Sequence, residues 1–148
     1  MVGQRIILSI ALVAMCSMVS KAQLAIDWEQ LTDVTFEEKY YERYDTDYWY
    51  PTFGESVKKL DGVEVQITGY VVAVEPETGF YVLSANPFSQ CFFCGNAGPE
   101  TVIQLNFKSW PREYENDEYL TFSGTLRLNA ENLFELNYII EDAEEVKP

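Results

Sequence analysis

Hydrophobic and polar residues alternate along the second half of the chain, and this period of two predicts β-strands. Five stretches show the alternation: from Gly62 to Val71, Phe80 to Ser84, Val102 to Phe107, Tyr119 to Leu128, and Phe134 to Ile140. Each has one apolar and one polar face, and turn-forming residues separate the stretches. Strands buried on one side only are typical of antiparallel sheets. The pattern therefore predicts a small barrel or sandwich.

Two glycines favour the barrel. Gly69 and Gly124 fall on the apolar faces, in the middle of the first and fourth predicted strands. A mid-strand glycine is typical of a bend or bulge that lets one strand serve both sides of a barrel. We therefore predict a mainly all-β fold, an OB-like five-stranded barrel over residues 62–148, with a small sandwich as the alternative. Pro111 favours a loop over a helix between the third and fourth strands.

Residues 23–61 have a different pattern and are predicted to form a short helical and extended N-terminal extension. Trp28, Leu31 and Phe36 indicate a short helix that runs into an extended segment, with Asp27 as its N-cap. The tyrosine-rich stretch that ends at Pro51 follows. A helical turn is expected from about residue 56 to 60. We expect the extension to pack on the barrel and not to form a separate domain.

Residues 1–22 have the pattern of a secretory signal peptide. Arg5 precedes an apolar run from Ile6 to Val19, and Ser20-Lys21-Ala22 offers small residues for cleavage. The run is short for a membrane span. Cys16 leaves a lipoprotein as the alternative, but a bulky methionine precedes it. We therefore expect a periplasmic or secreted product of 126 residues with no membrane span after processing.

The chain is strongly acidic. Its formal net charge is −14, and loss of the two basic residues in residues 1–22 leaves eight basic against 24 acidic residues, a net charge of −16. A polyanion repels nucleic acid and anionic lipid at long range. Solubility outside the cytoplasm is the simplest interpretation, with attraction of cations as the alternative. Nucleic acid is therefore not an expected partner.

The motif with the clearest chemistry is Cys91-Phe92-Phe93-Cys94-Gly95. Residues 23–148 contain no other cysteine and the chain contains no histidine. Paired thiols at this spacing form a disulfide, bind a metal or exchange disulfides. In a zinc knuckle the glycine after the second cysteine adopts a left-handed backbone. The motif is predicted to lie in the loop between the second and third barrel strands.

The surrounding residues leave three interpretations of Cys91 and Cys94 open. A disulfide fits an oxidising compartment and an even number of cysteines. Zinc, the cofactor that the pair suggests, needs about four ligands, so carboxylates or a second copy would have to complete the site. Thiol–disulfide exchange usually places the first cysteine at a helix N-terminus, and Gly95 to Pro99 are unfavourable for a helix. We expect one phenylalanine of the motif to be buried and the other half-exposed.

No catalytic constellation is visible in the sequence. The chain lacks a GxSxG motif and a histidine base, and no pair of carboxylates has a spacing that selects acid–base chemistry. Residues 141–145 are interpreted as a solvated acidic tail. The tyrosine-rich stretch could stack on sugars, although packing onto the barrel is favoured. We therefore predict that the protein is not an enzyme.

Several motifs together resemble those of a family of small exported bacterial proteins of unknown function. They are Tyr50-Pro51-x-Phe53-Gly54, Leu60-Asp61-Gly62, Cys91-Phe92-Phe93-Cys94-Gly95-x-Ala97-Gly98-Pro99-Glu100, and Leu128-Asn129 before Leu136-x-Tyr138. The resemblance implies an OB-like fold and an accessory binding role in the envelope, where more distant relatives occur beside metal-uptake or transporter components. Only Cys91 and Cys94 carry over as site residues.

The sequence thus predicts a non-enzymatic binding module of the bacterial envelope, with a protein or a metal ion as its partner. The loop with Cys91 and Cys94 is expected to be a disulfide or a metal half-site. A thiol–disulfide exchange protein and a purely structural interaction protein are the alternatives.

Overall fold

The structure, a computed structural model, describes residues 23–147. The predicted signal peptide, residues 1–22, lies outside this range. Eight strands are present: β1 Leu24–Ala25, β2 Val34–Tyr41, β3 Thr46–Phe53, β4 Glu64–Glu75, β5 Phe80–Ser84, β6 Val102–Phe107, β7 Tyr119–Leu128 and β8 Tyr138–Glu145. One short α-helix, α1, spans Glu55–Lys58, and 3-10 turns occupy several of the connections.

Five of the strands close into a barrel, which confirms the predicted fold. Their order is β4-β5-β6-β8-β7, and β7 pairs back onto β4. All of these pairings are antiparallel except β6 with β8, which is parallel. This is the strand order of an OB-type barrel. The short strand β1 pairs in parallel with the first half of β4, at Val65 and Gln66.

One predicted strand bend lies where a strand changes partners, and the other lies at a β-bulge. β4 pairs with β7 up to Tyr70 and with β5 from the same residue onward, so Gly69 directly precedes the change. A Cβ atom on Gly69 would lie 2.6 Å from the Ser84 carbonyl oxygen, so no side chain fits there. Around Gly124 the register of β7 with β8 shifts between Ser123 and Thr125, which is a β-bulge.

The apolar faces of the barrel strands form the core. Large fully buried side chains include Tyr81, Leu83, Ile103, Phe122 and Tyr138. A second, smaller cluster lies between the outer face of β4, β5 and β6 and the loop that joins β5 to β6. It contains Val72, Val82, Val102 and Cys91, with Phe80, Phe92 and Leu136 packed against it. The cysteine motif is therefore attached to the barrel wall by its own apolar contacts.

The last strand differs from the prediction. β8 begins at Tyr138 rather than Phe134, and it includes residues 141–145, which were expected to form a solvated tail. Ala143 is buried, while the carboxylates of Glu141 and Glu145 bind Arg127 and Arg112. The acidic composition concealed the strand because its carboxylates are paired with arginines from neighbouring elements.

The N-terminal extension contains the predicted capped turn. Asp27 caps the 3-10 turn Trp28–Leu31: its Oδ1 accepts from the Gln30 N–H at 3.1 Å, and Gln30 Oε1 accepts from the Asp27 N–H at 2.9 Å. This reciprocal pair is a capping box. The tyrosine-rich stretch does not lie flat on the barrel; it forms the β2–β3 hairpin, a separate two-stranded sheet.

Candidate functional site

The cysteine motif lies in the long loop between β5 and β6, as predicted. Residues 85–101 form this loop, which contains three 3-10 turns, Phe88–Gln90, Phe92–Cys94 and Pro99–Thr101. Gly95 has the left-handed backbone (φ 73°) that the motif predicted, and its N–H donates to the Phe92 carbonyl at 2.9 Å. A residue with a side chain would be strained at this φ.

The two cysteines occupy different environments. Cys91 is fully buried in the smaller apolar cluster, whereas Cys94 is exposed. Neither is bonded in this structure, and the Cys94 thiol donates to the Phe88 carbonyl oxygen at 3.2 Å. The Cys94 N–H donates to the Cys91 carbonyl at 3.1 Å, so the residues span a tight turn. Such a turn keeps the Cα atoms within about 7 Å, a separation that a disulfide can bridge after small adjustments.

The environment of Cys94 disfavours its thiolate. Partial desolvation raises the pKa of the Cys94 thiol, and the hydrogen bond and charge coupling with Cys91 raise it further. A thiolate is the form that attacks disulfides and binds metals. Within residues 23–147 no group of three or more cysteine and carboxylate side chains is placed to hold a metal ion. Cys91 and Cys94 remain the residues that could contribute to a shared metal site.

An apolar groove adjoins the motif. It has two connected parts, of about 330 and 280 Å³, and Trp49, Phe92 and Pro99 line both. Phe36 and the segment 97–100 complete the larger part. Phe92, between the two cysteines, is half-buried and forms one wall, while Phe93 is exposed. Both rings are more exposed than the expected division into one buried and one half-exposed phenylalanine, because the motif lies in a surface loop.

The sequence did not identify Trp49 as a groove residue. Trp49 lies in β3 directly opposite Glu38 of β2, and its side chain is 63% exposed. Its alternation with Tyr48 and Tyr50 indicated an aromatic surface, but not the loop that would face it. That relationship depends on the hairpin's orientation, which no local pattern specifies.

The other side of the groove is the loop of residues 129–137, and Asn129 shapes it. The Asn129 amide nitrogen donates to the carbonyls of Asn132, Glu135 and Leu136, at 2.8 to 3.3 Å. Its Oδ1 accepts from the N–H groups of Glu131 and Asn132. One buried amide therefore contacts five backbone groups, its two N–H hydrogens being shared among three carbonyls, and holds the loop in place.

A chain of side-chain hydrogen bonds connects the same loop to the barrel. Arg127 donates to Glu141 at 2.7 Å and to Glu135 at 3.0 Å. Glu141 also accepts from Asn106, and Asn106 accepts from Gln104. These half-buried hydrogen bonds cross three strands and end beside the groove, so they position its wall.

Contacts between aromatic residues attach the hairpin to this loop. Tyr44 packs edge-to-face against Phe134, with ring centroids 5.4 Å apart. Tyr50 donates to Glu131 at 3.2 Å, and this hydrogen bond together with the carboxylate charge raises the pKa of Tyr50. At the base of the hairpin, Phe53 packs against buried Tyr138. The hairpin thus contacts the barrel at its base, through Phe53, and the 129–137 loop at its tip, through Tyr44. The groove lies between these two contacts.

No protein-family model matches the chain, and no curated protein matches it. The chain is similar to the crystal structure of a DUF3299 family protein from Pseudomonas aeruginosa, at 16% identity and a TM-score of 0.48, over 86% of this chain and 98% of that one. No functional conclusion follows from so distant a likeness. Among residues 23–147, no helix is long and apolar enough to cross a membrane.

Proposed function

We propose that this protein is an exported, non-enzymatic binding module of the bacterial envelope, and that it binds a protein partner at the groove beside the cysteine motif. The observation that carries the proposal is the exposed Trp49 ring, which faces Phe92 and Pro99 across an open apolar groove. Exposed apolar surface of this kind, rimmed by polar residues, is typical of interaction sites. Rigid aromatic side chains are also the residues that most often anchor partners.

In this proposal Cys91 and Cys94 form a disulfide that holds the groove wall. Phe92 lies between them, so a bond across the turn would restrict the backbone that carries its ring. The buried position of Cys91 supports this role over a metal site. A metal half-site would need further ligands, and in the described range 23–147 no group of three or more cysteine and carboxylate side chains is placed to supply them. Thiol–disulfide exchange needs an accessible attacking thiol, and the burial of Cys91 opposes it.

Export is supported by the segment from Arg5 to Ala22, by the acidic composition, and by the resemblance of the cysteine loop to that of exported bacterial proteins. A test is to express all 148 residues in a bacterial host and purify the product from the periplasm without chelator. Mass spectrometry then gives the N-terminus, and alkylation and metal analysis give the state of the cysteines. We expect a product that begins at Gln23, with two blocked thiols and no bound metal. A stoichiometric metal lost in Cys91→Ser would instead establish the metal site.

The groove itself can be tested with Nile red, a neutral apolar dye that avoids effects of the protein's charge. We expect Trp49→Ala to reduce dye binding at least about fivefold, because it removes the exposed face of the groove. Trp110→Ala is the matched control, since Trp110 is also exposed but lies in a separate groove with Gly79 and Pro111. Equal effects of the two substitutions would overturn the groove as the binding site.

A further inference from the structure

The β2–β3 hairpin has an outer edge without backbone partners. Its eight paired positions run from Val34↔Phe53 to Tyr41↔Thr46, and it is not part of the barrel sheet. Backbone hydrogen bonds outside this ladder occur only at its ends: Val34 to Thr32 and Gly54 to Asp33 at the base, and Tyr44 to Tyr41 at the tip. Within the described part of the chain, the outward N–H and C=O groups of both strands are therefore available.

Only one of the two edges can accept a full strand. Pro51 in β3 has no N–H, so its nitrogen must lie on the side of the strand away from β2. The outer edge of β3 therefore lacks one hydrogen-bond donor at this position. Tyr50 and Tyr44 also connect this side of the hairpin to the 129–137 loop. β2 contains no proline, and the side chains of residues 37–40 are exposed. The open edge is therefore that of β2.

The charges along β2 restrict what can pair with it. Glu37 and Glu38 lie in the middle of the strand, on opposite faces, in a molecule of net charge −14. The one basic residue of β2, Lys39, has its Nζ 3.5 Å from the centroid of the Tyr50 ring of the hairpin itself, so the charges left for a partner are the two carboxylates. Opposite charges across a strand pair are stabilising, and like charges are destabilising. Phe36 and Trp49 lie on the same face as Glu38 and line the groove. A strand beside β2 thus needs an apolar residue near Phe36 and basic residues near the two glutamates.

We propose that β2 binds an extended, basic and apolar segment of another protein by strand addition. The inference rests on the proposed binding function, and it names the partner's chemistry. Main-chain hydrogen bonds to the β2 edge would supply affinity, and the groove and the glutamates would supply specificity. A second copy of this chain is disfavoured. The outward backbone groups of β2 belong to every second residue, so the central antiparallel registers of two β2 strands set Glu38 opposite Glu38 or Glu37 opposite Glu37, between two strongly acidic molecules.

The test uses the processed product of the full chain and an eight-residue capped peptide with two adjacent central lysines, one for each face of the strand, flanked by valine and threonine and matching the length of β2. The comparison peptide replaces lysine with glutamate. Calorimetry gives the affinity, and amide hydrogen exchange locates the contact. We expect the lysine peptide to bind with a Kd below about 1 mM, at least tenfold more tightly than the glutamate peptide, and to protect the outward amides of β2.

Matched charge variants separate a specific edge from general attraction. Glu37→Lys/Glu38→Lys is expected to weaken binding of the lysine peptide at least tenfold. Glu29→Lys/Glu77→Lys changes the net charge equally at two exposed residues outside β2, and it is expected to weaken binding less than threefold. Equal losses in the two variants, unprotected β2 amides, or no binding of the lysine peptide would each overturn strand addition.

The outcome for strand addition is independent of the outcome for the groove. Nile red binding that depends on Trp49, together with no binding of the lysine peptide, would retain the groove and reject the β2 edge. Peptide binding with protected β2 amides, together with dye binding unaffected by Trp49→Ala, would retain the edge and reject the groove.

Discussion

The hydroxyl of Tyr138 donates a hydrogen bond to the backbone carbonyl of Leu31 at 2.7 Å, and both residues are fully buried. This bond joins the first residue of β8 to the 3-10 turn of the N-terminal extension, 107 positions earlier in the chain. It crosses the boundary between the predicted extension and the predicted barrel. The extension and the barrel are thus joined by a buried polar contact as well as by apolar packing.

Tyr138→Phe should lower the free energy of unfolding by about 1–3 kcal/mol, because the Leu31 carbonyl then remains buried without a partner. Denaturant unfolding measures the change. Tyr119→Phe is the control, since Tyr119 is also a strand tyrosine but is 63% exposed. If the two substitutions cost the same, the buried hydrogen bond does not stabilise the fold.

Alkaline pH should destabilise the protein, because two buried tyrosines ionise less readily in the folded chain than in the unfolded chain. Burial, followed by the charges of Glu100 and Asp33, raises the pKa of Tyr138, and burial with nearby Glu145 raises the pKa of Tyr114 to about 12. Above about pH 10 the unfolded chain loses protons that the folded chain retains, so stability falls as pH rises. Below pH 10 this contribution is fully present.

Unfolding measured from pH 8 to 12 tests this dependence. We expect a constant free energy of unfolding up to about pH 10 and a decline above it, with less than about 1.4 kcal/mol per pH unit due to Tyr138. Tyr138→Phe should make the decline shallower. An unchanged slope in that variant would show that Tyr138 is not a source of the effect.

Gly124→Ala should be among the most destabilising substitutions of a glycine. A Cβ atom there would lie 2.5 Å from the Glu141 carbonyl oxygen and 2.5 Å from Ile140 Cγ2, so the bulge between β7 and β8 would have to open. We expect a cost of about 2–4 kcal/mol. Gly62→Ala, at φ 75° with no atom near the added carbon, should cost only about 1–2 kcal/mol. Chemical denaturation of both variants gives the order, and a reversed order would contradict the close approach.

The barrel could be predicted from sequence because its signal is local. Alternating apolar residues define each strand's inward face, and Gly69 and Gly124 indicate a change of strand partner and a β-bulge. β8 was misjudged because Glu141 and Glu145 look solvated until Arg127 and Arg112 are placed beside them. That placement depends on how distant strands pair, which the spacing of charges does not reveal.

The candidate site was predictable only in part. The CxxCG motif located the loop and its left-handed glycine, since both follow from local backbone chemistry. The groove needs Trp49 opposite Phe92, and these residues belong to elements whose mutual orientation is set by tertiary packing. The open edge of β2 was also hidden, because the tyrosine-rich stretch was expected to lie on the barrel instead of forming a hairpin.

The two cysteines give a prediction that distinguishes a disulfide from free thiols. In reducing buffer, Cys91→Ser should lower the free energy of unfolding by about 1–3 kcal/mol, because a hydroxyl would be buried among Val72, Val82 and Val102. Cys94→Ser should have no measurable effect there, since Cys94 is exposed.

In oxidising buffer a disulfide would change this asymmetry. Each substitution then removes the same bond, so Cys94→Ser should become destabilising as well, while the reduced values remain as the baseline. The measurement is denaturant unfolding of the wild type and both variants, with and without reductant. If Cys94→Ser has no effect in either buffer, the two thiols do not form a stabilising disulfide, and the proposed restraint on the Phe92 wall of the groove is wrong.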